Sequence, residues 1–62
     1  MNHPFQVGDL VRSTMIPSNL ALVTETHEIQ TGCYVDVIWF RSGKEVSFYK
    51  ISRFTLVSRA EG

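Results

Sequence analysis

The stretch CYVDVIWFRSG, residues 33–43, constrains this chain more than any other. It reads as a β-strand, but apolar residues occupy both parities: Val35, Val37 and Trp39 on one, Tyr34, Ile38 and Phe40 on the other. Successive strand side chains point to opposite faces, and a small antiparallel sheet ordinarily buries one face and wets the other. Something must therefore cover the second face, and with 62 residues there is little chain to spare for it. A chain of this length hides only about 60% of the surface its unfolded form exposes, so one domain of marginal stability is expected.

Neither usual staple for so small a scaffold is available. Cys33 is the only cysteine, and no Cys/His spacing resembles a zinc site, so no metal and no cofactor is expected. The N-terminal MNHPFQVGDLVR lacks a basic leader followed by an apolar run, and no segment approaches the roughly 18 apolar residues that cross a bilayer. A cytoplasmic protein, or one inside an intracellularly assembled particle, is expected, with no membrane partner. Six basic residues balance six acidic ones, with acids concentrated before residue 40 and bases after it.

Helical periodicity is weak, whereas short β-branched and aromatic runs recur between turn signals. The expected strands are residues 9–13 after Gly8, 20–27, 33–40, 45–49 and 54–58. Pro17, Ser18 and Asn19 break the chain after the first strand, and residues 28–32 turn before the third. Residues 41–44 form a tight hairpin with Gly43 in a left-handed position. Residues 50–53 suit a single 3₁₀ turn, whose Ile51 plugs one end of the core. The parity of the second strand is ambiguous, because Leu20 and Leu22 compete with Ala21 and Val23 for the interior. The interior set is otherwise Val11, Val35, Val37, Trp39, Val46, Phe48 and Leu56.

Several runs resemble the small five-stranded antiparallel SH3-like barrels. VGDLVR (residues 7–12) is similar to their xGDxV opening, LVTET (22–26) to their second strand and VDVIW (35–39) to their central VxVxW strand. GKEVSFYKISRFTLVS (43–58) is similar to their closing hairpin, 3₁₀ turn and last strand. The resemblance is greatest to single-domain proteins of this type encoded by tailed bacteriophages, and more distant to KOW and Tudor modules. It implies an all-β barrel filling residues 1–62 and an accessory or structural role. The acidic loop and paired aromatics of the proline-binding SH3 domains are missing.

Three kinds of activity can be weighed. Catalysis needs a nucleophile and base in reach of one another. Only Cys33 opposite His27 across the hairpin offers that, and a small domain has few concave surfaces, so neither an enzyme nor a small-molecule substrate is expected. Asp9 after Gly8 is read as a cap for local backbone N–H groups. Nucleic acid is the alternative partner: Arg41, Lys44, Lys50 and Arg53 would meet phosphates while Tyr34, Phe40 and Tyr49 stack on bases. Zero net charge weighs against it. The favoured reading is a protein interface formed by Tyr34, Ile38, Phe40, Tyr49 and Val57, covered by a second copy or by a larger assembly. Folding Phe5 and Val7, or the loop around Met15, over the same face would hide it within one chain.

Overall fold

The computed structural model describes residues 3–61. Five antiparallel strands form one open sheet: β1 (Leu10–Ser13), β2 (Leu20–Ile29), β3 (Gly32–Trp39), β4 (Glu45–Lys50) and β5 (Phe54–Ser58). A 3₁₀ turn, Ile51–Arg53, separates β4 from β5. The order across the sheet is β4-β3-β2-β1-β5, so β3 and β2 lie at its middle and the chain crosses from one edge to the other through the 3₁₀ turn. No helix among the described residues is long and apolar enough to cross a membrane.

The sheet curls although its edges are not hydrogen-bonded to each other. Tyr49 at the end of β4 and Phe54 at the start of β5 meet edge-to-face with ring centroids 5.1 Å apart, and Trp39 packs against both rings. The concave side holds Val11, Ala21, Val23, Val35, Val37 and Phe54, joined by Phe5 from the N-terminal segment. Alternation thus resolves the ambiguous strand: Ala21 and Val23 face inward, and Leu20 and Leu22 face out. Ile51 packs against this core, as its place in the turn required.

Asp9 ties the two ends of the chain to the sheet. Its side chain is fully buried and accepts hydrogen bonds from the amides of Ala60 (2.7 Å) and Gln6 (2.9 Å) and from Arg59 Nη1 (3.3 Å). The capping role expected for Asp9 is therefore present and extends to the residues after β5. Gly8 beside it has φ +96°, and a Cβ there would meet Ala60 Cβ at 3.0 Å, so only glycine lets the segments approach this closely.

Two irregularities face each other across the central strand. Between Val23 and Glu25, β2 carries an extra residue against β3, and between Val46 and Tyr49 β4 does the same. Both bulges lie opposite Asp36. An extra residue reverses the facing of everything beyond it. Phe48, expected in the interior, instead lies on the outer face with φ +52°, and Tyr49, expected outside as an interface residue, turns in against the core. Phe48 is the only non-glycine residue with positive φ among those described.

Candidate functional site: the outer face of the sheet

The convex face is built level by level from the strand register. Beside Tyr34 lie His27 on β2 and Lys50 on β4; beside Asp36 lie Glu25 and the bulged Phe48. At the next level Leu10, Leu22 and Ile38 form an apolar row across β1, β2 and β3, ending at Glu45 on β4. Arg12 pairs with Leu20 at the level beyond, where Phe40 donates its amide to the Leu20 carbonyl.

Asp36 organises the centre. Its Oδ1 accepts the Phe48 amide and His27 Nε2–H, each at 2.9 Å, and its carbonyl accepts Thr24 Oγ1–H from the opposing bulge. The backbone hydrogen bond from Phe48 leads in holding the Asp36 carboxyl below its ordinary range, against a smaller opposing effect of burial and with further help from His27. The His27 and Phe48 rings stack at 3.9 Å, and Tyr34 tilts against Phe48 at 5.9 Å. Phe48 thus touches two rings, is half exposed, and has its amide bonded to Asp36.

The anticipated interface residues divide. Tyr34 and Ile38 are half-buried members of this face, and Phe40, one residue past β3, is 56% exposed. Val57 is exposed at the bulge of β5 against Leu10 and Val11, separated from β3 by two strands. Tyr49 belongs to the core side. Leu10, Leu22 (37% exposed), His27 and Phe48 (50% exposed) join the face, to which the sequence pattern had not assigned them. Leu22 was discernible as one arm of an unresolved parity, whereas Phe48 was hidden by the bulge. Phe5 lies in the core and not over this face, and Val7, Met15 and Ile16 are themselves exposed.

The four basic residues form no single patch. Arg41 and Lys44 sit in the β3–β4 turn, while Lys50 and Arg53 lie at the other end of β4, about 17 Å away by strand rise. Glu25, Asp36 and Glu45 lie on the face between them. Cys33 pairs with Glu28, and His27 with Tyr34, so adjacent positions turn Cys33 and His27 to opposite faces and the anticipated pair is not made. Among the described residues His27 hydrogen-bonds only to Asp36, and no three of His, Cys, Asp and Glu cluster as metal ligands. No family model, curated protein or solved structure matches this chain.

Proposed function

We propose that this chain is a non-enzymatic, SH3-like interaction module that docks protein through the outer face of its sheet. The barrel reading draws support from the strand order, with β1 between β2 and β5, from the 3₁₀ turn before the last strand, and from the aromatic contacts that draw the two edges together. The observation that carries the function is the exposure of Leu22, Phe40 and Phe48 around Ile38 on one face, over which no described segment folds. Monomers rarely leave such a patch bare. Its acids count against nucleic acid, since Glu25, Asp36 and Glu45 would repel phosphates midway between the two basic pairs. A place in a larger assembly such as a phage particle follows from the family resemblance alone.

Light scattering of the purified chain up to millimolar concentration, with Ile38→Glu alongside, tests this. The expected result is association, with itself or with an added host protein, that Ile38→Glu abolishes while circular dichroism is unchanged. A strict monomer that binds no host protein overturns the reading. Oligonucleotide binding with a steep salt dependence, lost in Lys50→Glu, would replace it with the nucleic-acid alternative.

A further inference from the structure

Resting on that reading of the outer face, we infer that its occupant is a second copy of this chain, packed face to face about a two-fold axis that crosses the strands at the level of Asp36. Glu45 and Lys50 mark the two ends of β4, one level to either side of Asp36, and neither forms an ion pair within the chain among the described residues. A two-fold axis lying in the interface at that level exchanges the Ile38 level of one copy with the Tyr34 level of the other. Glu45 then meets Lys50 of the partner subunit, and Lys50 meets the partner subunit's Glu45. One surface is complementary to itself, as an isologous interface requires.

The same operation treats the remaining residues consistently. Leu22 and Ile38 of one copy come over His27 and Tyr34 of the partner subunit, placing aliphatic side chains on aromatic rings. Phe48, at the level of the axis, comes beside the partner subunit's Phe48, and the exposed part of each ring gains a neighbour while the His27 stack is kept. The unusual backbone of Phe48 then has a use, because an aromatic side chain fixed in advance loses little freedom on binding. Asp36 is the charge nearest the axis, and its two hydrogen bonds already satisfy it.

The two longer extents of the molecule are 31 and 26 Å, and because the outer face is convex two copies meet over only part of that outline, an area at the low end for a specific interface. Two groups oppose the arrangement: Asp36 and Glu25 both lie at the level of the axis and each approaches its own symmetry mate, the Asp36 carboxylate being the less exposed of the two because it is turned to His27 and the Phe48 amide.

The test is a mixing experiment on the full chain by sedimentation equilibrium. Glu45→Lys and Lys50→Glu each place like charges at both symmetric contacts, and each alone should weaken the dimer about tenfold. An equimolar mixture of the two variants should recover the dimer, because Lys at position 45 of one chain then faces Glu at position 50 of the other. Glu25→Gln should tighten the parent dimer. A dimer indifferent to these substitutions overturns the inference, as does a mixture that fails to recover while both variants retain native circular dichroism. A monomer that instead binds a different protein in an Ile38-dependent manner refutes the second copy but leaves the docking face standing; a monomer that binds none refutes both.

Discussion

Asp9→Ala should come close to unfolding this domain. The carboxylate is inaccessible to solvent and receives the amides of Gln6 and Ala60, one before β1 and one after β5. Removing it leaves two backbone donors without their acceptor, at about 1–3 kcal/mol each when a partner is deleted in a buried site. Both donors are only partly buried, which places the total in the lower half of that range, about 3 kcal/mol. Globular domains hold about 0.05–0.15 kcal/mol per residue, so a chain of 62 residues has about 3–9 kcal/mol to lose. With a urea slope near 1 kcal/mol per molar for so small a protein, the midpoint should fall by about 3 M. Asp9→Asn keeps one acceptor and should fall by less. Urea titration followed by tryptophan fluorescence is a suitable assay, since Trp39 packs against the core. A loss under about 1 kcal/mol for Asp9→Ala would refute the idea that this carboxylate holds the two ends of the chain to the sheet.

Phe48→Gly separates stability from association: relief of the left-handed backbone, about 1–2 kcal/mol, offsets the lost ring stacking and the greater freedom of glycine when unfolded. Thermal melts should shift little, while sedimentation shows the association gone. Acid should weaken the fold through Asp36. A carboxyl held below its ordinary range contributes stability above its unfolded pKa, near 3.8, and loses that contribution as pH falls through the lower, folded value. Melting temperature should therefore drop below about pH 4, and Asp36→Asn should flatten that part of the profile; an unchanged profile would show that the Phe48 amide and His27 do not stabilise the ionised form.

Much of the architecture was legible because local chemistry and fold agree. The turn residues around Pro17, Gly32 and Gly43 mark three connections, β5 occupies Phe54–Ser58 as expected, and the β-branched Val11, Val35 and Val37 are buried. What escaped the pattern is a single residue in each of two strands. Alternation propagates along a strand only while the register holds, and the bulges opposite Asp36 shift it, so Phe48 and Tyr49 exchange their expected faces. The available signal was Asp36 itself: a carboxylate in the middle of an otherwise apolar strand needs donors, and a bulge on the neighbouring strand frees an amide to supply one. Phe5, offered only as an alternative cover for the outer face, packs in the core instead, because an aromatic before the first turn does not reveal which way the chain folds back.

The most direct measurement is the concentration dependence of the amide NMR spectrum, from tens of micromolar to millimolar. Shifts concentrated at Leu10, Leu22, Tyr34, Ile38 and Phe48, with residues 14–18 unmoved, are what the account predicts. Spectra that do not change, or changes centred on that loop or on β5, would contradict it.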